Sequence, residues 1–202
     1  AGVNKNVNCT ITSAIIGTSG LVGNSYSWSP SADLNIATIP QPSASPSSTT
    51  TYTLTVTGSN GCTNIDSVTV NVNTTIPLAD AGSTQNLDCT TTSATIGTSS
   101  ILGNSYSWSP SIGLSASNIA QPTANPTAST TYTVTVTGAN GCQATASVSV
   151  NVNTTLPTAN AGTDKNLNCN TTNTTIGTAA ISGNTYSWMP STGLNATNVA
   201  MP

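Results

Sequence analysis

The chain has 202 residues and a net charge of −3, yet only 3% of its residues are charged, and Thr, Ser and Asn make up nearly half of it. The chain contains five Asp and two Lys but no His, Arg or Glu. It therefore lacks the side chains that usually perform general acid–base catalysis, bind zinc or contact the phosphates of nucleic acids. We therefore expect no enzyme, no catalytic residue, no cofactor, no metal site and no nucleic-acid partner.

An 80-residue repeat organises the whole chain. The triplet Tyr-Ser-Trp recurs in phase three times, as 26–28, 106–108 and 186–188. A fixed period of this length, with its own aromatic and cysteine set, is typical of tandem small domains. The predicted domains are residues 1–80, 81–160 and an incomplete third copy, 161–202. That copy lacks its second half, so we expect either further chain or a neighbouring subunit to complete it.

The first half of each repeat is predicted to form short strands. In the first copy these are residues 3–8, 14–17 and 24–29, and Pro30 ends the third because proline cannot donate to a strand ladder. Residues 36–39 precede a proline cluster and are predicted to be an edge strand. No segment has helical periodicity.

The second half is predicted to be a β-hairpin. Residues 49–58 read T-T-T-Y-T-L-T-V-T-G, a strict alternation of apolar and polar side chains. Asn60-Gly61 follows, a turn signal because both residues tolerate positive φ. Alternation resumes at residues 65–72, and the second copy repeats the pattern.

Six or seven short strands in 80 residues predict an antiparallel β-sandwich. The fold class is therefore all-β: tandem immunoglobulin-like (PKD-like) sandwiches arranged as a rod. A ligand platform built from the aromatic side chains is the weaker alternative, because identical spacing in every copy suits packing. The predicted core anchors are Trp28, Trp108, Trp188, Tyr52 and Tyr132.

The cysteines allow two pairing schemes. The preferred one closes each domain on itself, Cys9 with Cys62 and Cys89 with Cys142, because a small domain gains from a covalent staple. The rival scheme staples the junctions and joins Cys62 to Cys89 and Cys142 to Cys169. A geometric objection to the first remains: a first strand running parallel to the last would place Cys9 and Cys62 at opposite ends. Either scheme indicates an oxidising, extracellular location.

The segment between the domains indicates a short, stiff link. Residues 73–80 read N-T-T-I-P-L-A-D, with a central proline and no Gly-Ser flexibility. We expect the domains to stack end to end, with an ordinary hinge as the alternative.

Several motifs resemble a known repeat type. Y-S-W-S-P (106–110), P-T-A-N-P-T-A-S-T-T-Y-T-V-T-V-T (122–137) and the opening A-G-x-x-x-N-x-x-C (81–89) are similar to PKD-like, immunoglobulin-like repeats of large Bacteroidetes surface proteins, including gliding-motility-associated adhesins. The better-known PKD signature W-D-F-G-D-G survives only as its tryptophan. The resemblance implies secretion to the cell surface and a role in adhesion or as a stalk, without conserved catalytic residues.

Two functions follow as hypotheses. The first is a cell-surface filament or stalk whose partners are other copies or further repeats of the chain, since loop lengths are identical in every copy. The second is an adhesin module that binds glycans or surfaces through its loops.

The sequence has no apolar run of 18 residues, so we expect no membrane span in this segment. A start at Ala1 suggests a mature protein or a piece of a longer one.

Overall fold

The computed structural model of the protein describes residues 1–202 and consists of strands, turns and loops. It divides into two compact units, Ala1–Asn153 and Thr154–Pro202. The first unit contains all the strands of the first two repeats, and the second contains residues 154–160 and the incomplete third copy. The structure has no helix of the length and apolar character needed to cross a membrane.

Six strands form each of the first two repeats. In the first repeat they are β1 Lys5–Asn8, β2 Ala14–Ile15, β3 Ser25–Ser29, β4 Ser43–Ala44, β5 Thr50–Thr57 and β6 Thr63–Asn73. In the second they are β7 Gln85–Asp88, β8 Ala94–Thr95, β9 Ser105–Ser109, β10 Thr123–Ala124, β11 Thr130–Thr137 and β12 Gln143–Asn153. The four-stranded sheets have the order β1-β6-β5-β3 and β7-β12-β11-β9, and β2 pairs with β4 as β8 pairs with β10.

The hairpin of β5 and β6 forms the centre of the large sheet. The two strands pair antiparallel along the whole of β5, from Thr50 opposite Val70 to Thr57 opposite Thr63. Because successive side chains along a strand point to opposite faces, Tyr52 of β5 and Val68 of β6 reach the core, while the threonines next to them on each strand face outward. On the outer side of β6, β1 runs parallel to it. Each of the first two repeats is thus an immunoglobulin-like β-sandwich with open sheets and a core of its own, which confirms the predicted all-β sandwich fold.

The tryptophans lie at the centre of these cores. Trp28 and Trp108 are 2% and 3% exposed, and each indole N–H donates to a backbone carbonyl, that of Ile39 at 3.0 Å and that of Ile119 at 2.9 Å. A buried indole N–H needs such a partner, so the loop before the proline cluster is held against the ring.

The two core tyrosines are also fully buried at the ring. Tyr52 donates its hydroxyl hydrogen to the carbonyl of Ala32 at 3.4 Å, and Tyr132 donates to that of Ile112 at 2.8 Å. Burial raises the pKa of both phenols, because the charged phenolate would lose hydration.

One local prediction was wrong. Residues 36–39 form a turn and not an edge strand, because the backbone there serves Trp28, whose N–H donates to the Ala37 carbonyl at 2.9 Å. The edge strand is β4, inside the proline cluster. The hairpin turn predicted at Asn60-Gly61 is confirmed: it spans residues 58–62 and is closed by the Gly58 N–H donating to the Cys62 carbonyl at 2.9 Å.

The second unit keeps the turns of a repeat without its sheets. The Gly177 N–H donates to the Ala161 carbonyl at 2.9 Å, as the Gly97 N–H does to the Ala81 carbonyl at 2.8 Å, but no residue of this unit is in a strand. In the complete repeats, β1 and β3 pair with the hairpin, and the sequence contains no third copy of that hairpin. Trp188 is accordingly only half-buried, although its indole N–H donates to the Val199 carbonyl at 2.8 Å.

A matched pair of glycine substitutions tests the packing around the tryptophan. Gly97 and Gly103 have φ of +81° and +85°, so Ala at either position costs about 1–2 kcal/mol of backbone strain. A Cβ on Gly97 would lie 2.1 Å from the Ala120 carbonyl oxygen and 2.9 Å from the Trp108 ring, whereas one on Gly103 meets nothing closer than 3.6 Å. We expect Gly97→Ala to lower the free energy of unfolding by about 1–3 kcal/mol more than Gly103→Ala. Denaturant titration followed by tryptophan fluorescence measures this; equal losses would contradict it.

Candidate functional site

A disulfide joins the first repeat to the second. It connects Cys9, directly after β1, to Cys142, directly before β12, with 5.0 Å between the two Cα atoms and a sequence separation of 133. Closing a loop of that size removes entropy from the unfolded chain worth about 5 kcal/mol. The bond is therefore the strongest single constraint at this junction.

This bond corrects the predicted pairing of Cys9 with Cys62 and of Cys89 with Cys142. Because β1 runs parallel to β6, the end of β1 lies beside the end of β6 at Asn73, and Cys9 comes directly after it. Cys62 lies at the opposite end, directly before β6 begins at Thr63. Ten steps of about 3.3 Å separate those two ends, so a bridge within one repeat cannot close. The rival scheme is also wrong. Cys142 is bonded to Cys9, and both Cys62 and Cys89 are free thiols exposed to solvent.

An Asx turn presents Cys9 to the second repeat. We name residues 8–11 the corner. The Asn8 side-chain oxygen accepts from the Thr10 N–H at 2.9 Å, the Ile11 N–H at 2.8 Å and the Thr10 hydroxyl at 2.9 Å. The turn follows from the sequence, because Asn and Asp side chains readily cap the backbone two or three residues onward.

The same corner forms in the second repeat, residues 88–91, with a carboxylate in place of the amide. Asp88 accepts from the Thr90 hydroxyl and from the N–H groups of Thr90 and Thr91, each at 2.7 Å. These hydrogen bonds, that of the Thr90 hydroxyl first, lower the pKa of the Asp88 carboxyl. The charged carboxylate therefore stabilises the folded state at neutral pH, and this contribution to stability is lost as the pH falls through the lowered pKa.

The hairpin turn of the second repeat receives this corner. We name residues 138–142 the tip. Gly141 has φ of +77°, and a Cβ there would lie 2.8 Å from the Thr10 methyl carbon, so glycine serves both the turn and the close approach. Cys142 is 1% exposed.

Asn140 ties the tip to the segment between the repeats. We name residues 73–80 the linker. The Asn140 amide nitrogen donates to the Asn73 side-chain oxygen at 3.0 Å, the Asn73 carbonyl at 3.3 Å and the Thr75 carbonyl at 2.9 Å. Its own side-chain oxygen accepts from the Cys142 N–H at 3.2 Å. One side chain thus links the tip and the linker.

The linker lies against the second sandwich. Ala79 packs on the core of that repeat, and Pro77 is 3.7 Å from the position of a Cβ on Gly138. The Asp80 carboxylate accepts from the Gly82 N–H at 2.8 Å as the chain enters the second repeat. The linker is an ordered part of the junction, fixed at both its ends.

The remaining predicted site residues lie apart from the junction. Trp28, Trp108, Tyr52 and Tyr132 are buried in the two cores, Trp188 is half-buried in the second unit, and Cys62, Cys89 and Cys169 are exposed thiols. Sequence reasoning missed Asn140 and Thr10, although N-G-C occurs at the tip of both complete copies and marks a shared role.

Comparisons with known proteins give only distant similarity. No protein-family model and no curated protein matches the sequence. Among solved structures, Drosophila OTK extracellular domains 3–5 match with 13% identity and a TM-score of 0.40, over 75% of this chain and 60% of that one. DIP-gamma IG1+IG2 matches with 11% identity and a TM-score of 0.38, over 74% and 93% of the two chains. Murine CEACAM1b matches with 12% identity and a TM-score of 0.35, over 73% and 95%.

Asparagine substitutions at the two tips test the junction. Asn140 bonds both its own tip and the linker, whereas Asn60 makes only the bond within its tip, to the Cys62 N–H at 3.1 Å. We expect Asn140→Ala to reduce the free energy of unfolding of the disulfide-intact chain by about 1–3 kcal/mol more than Asn60→Ala, because each lost hydrogen bond contributes about 1 kcal/mol. Chemical denaturation of the two variants measures the difference. Equal losses would show that the linker contacts contribute nothing.

Proposed function

We propose that the protein is an extracellular structural repeat protein that forms a cell-surface filament or stalk. The observation that carries this proposal is the Cys9–Cys142 bond, because it crosses from one repeat to the next and fixes their junction covalently. A recognition module needs each domain to be stable, and a bond within each domain would serve that purpose. A bond between domains serves to transmit force and to fix the orientation of one domain relative to the next.

The extracellular location has two supports. A structural disulfide persists in oxidising compartments and is rare in the cytosol. The resemblance of the repeats to PKD-like domains of Bacteroidetes surface proteins implies the same location and the same kind of spacer. The junction offers no catalytic set: apart from the disulfide cysteines and the single carboxylate of Asp80, its side chains are those of Asn, Thr, Ile, Leu, Pro and Ala.

Residues 1–80, 81–160 and 161–202 are proposed as three successive domains of this stalk. Separate hydrophobic cores in the first two repeats support the first division. The third copy would be completed by a two-stranded hairpin, from further chain or from a neighbouring subunit, since β-augmentation supplies the missing ladder partners in either case.

A second candidate function is adhesion through the loops. In both complete repeats an apolar side chain stands fully exposed in the loop before the Tyr-Ser-Trp strand: Val22 is 105% exposed and Leu102 is 101% exposed. Such residues suit contact with a glycan ring or another apolar surface. This function would use the loops and leave the junction as its scaffold.

Electron microscopy of native cell-surface material distinguishes the two functions. A stalk predicts thin fibres with an axial period equal to the length of one repeat, unaffected by Val22→Ser or Leu102→Ser. An adhesin predicts those two substitutions to abolish attachment of cells to a glycan-coated surface. Isolated globular monomers on the cell, with attachment lost in the loop variants, would overturn the filament proposal.

A further inference from the structure

We propose that the first repeat carries an unfilled copy of the junction: a groove and a tip that bind the linker and the corner of another repeat, one that precedes Ala1 in the same chain. The groove has a volume of about 490 Å³ and extends from Ala1 past Tyr26 and Val56 to Cys62. The inference rests on the geometry of the junction and not on filament formation, so it can fail separately from the function proposed above.

Burial at matching positions shows what the groove lacks. Cys62 is exposed whereas Cys142, at the same place in the second repeat, is 1% exposed. Val56 is half-buried whereas Val136 is 1% exposed. The residue types are the same in both repeats. The difference arises because the linker and the corner of the first repeat cover the tip and groove of the second repeat. No segment covers the tip and groove of the first repeat.

The tip of the first repeat already has the docked shape. Its closing bond, from the Gly58 N–H to the Cys62 carbonyl, is 2.9 Å, and the matching bond of the docked tip is also 2.9 Å. A Cβ on Gly61 would meet nothing within 4 Å, whereas the equivalent space before Gly141 holds Thr10. A preorganised tip binds its partner without paying for rearrangement.

The direction of the groove identifies its occupant. The linker that covers the second repeat ends at Asp80, which is joined by a peptide bond to Ala81, the equivalent of Ala1. A segment that fills the first groove in the same way therefore enters through the nitrogen of Ala1. That nitrogen now pairs with the exposed Asp66 carboxylate. Replacing the ammonium by an amide removes only an exposed ion pair, which contributes little.

A corner docked at this tip would bring its cysteine to Cys62. Thiol–disulfide exchange with a small-molecule disulfide such as glutathione disulfide then forms the bond: the two protein thiols lose two protons and two electrons, and the reagent is reduced to two thiols. Cys62 is thus one half of a second bridge of the Cys9–Cys142 kind.

A fused chain tests the proposal. The full chain is produced with an added copy of residues 1–80 ahead of Ala1, which restores the Asp-Ala connection of the natural junction, and the added copy carries Cys62→Ser. After oxidation with glutathione disulfide, the protein is denatured without reductant and cleaved before aspartate. We expect the fragment of residues 33–65, which holds Cys62, to be bonded to residues 1–32 of the added copy. The Cys9–Cys142 bond in the same digest reports correct folding of the remainder.

A control separates docking from the bond itself. With Cys9→Ser in the added copy, Cys62 keeps its thiol but is covered, so its alkylation by iodoacetamide should be at least about tenfold slower than in the 202-residue chain. An unchanged rate, or a free Cys62 in the oxidised fusion, would overturn the proposal. So would a bond between residues 33–65 of one molecule and residues 88–163 of another, because the occupant would then be a second copy.

Discussion

The parallel pairing of β1 with β6 is the constraint on which the junction depends. It places the end of the first strand beside the end of the last strand, and both lead out of the repeat at the same end. Cys9 and the linker therefore leave the first sandwich together and meet the second together. The same pairing keeps Cys62 about 30 Å away at the other end of β6. A bond within the repeat is therefore excluded, and Cys9 lies where it can meet the second repeat.

The sequence composition fits a surface hydrated by hydroxyls and amides. On the outer face of each hairpin, cross-strand hydroxyl pairs take the place of ion pairs, with Thr51 and Thr69 2.9 Å apart and Thr133 and Ser147 2.8 Å apart. Asn side chains pair in the same way between the first and last strands, as Asn151 donates to Asn86 at 2.8 Å. Neutral pairs of this kind contribute little each, but they do not weaken with salt, in contrast to surface charges.

Much of the fold could be predicted from local signals. Alternation of apolar and polar residues located β5 and β6, and the equal spacing of tryptophans located the cores. The edge strand was misplaced because the loop at residues 36–39 is shaped by its hydrogen bond to Trp28, a contact that no local pattern reveals. The pairing of Cys9 with Cys142 was missed because it depends on how two repeats dock. The objection from strand direction was sound, but it could only exclude a partner for Cys9 and could not supply one.

Single-molecule stretching of the 202-residue chain between its two ends tests the covalent junction most directly. With the Cys9–Cys142 bond intact, the chain between the two cysteines, whose sequence separation is 133, cannot extend, because force passes through the bond. Reduction should therefore lengthen the fully stretched chain by roughly 450 Å, at about 3.4 Å per residue. The same stretched length before and after reduction would contradict the account.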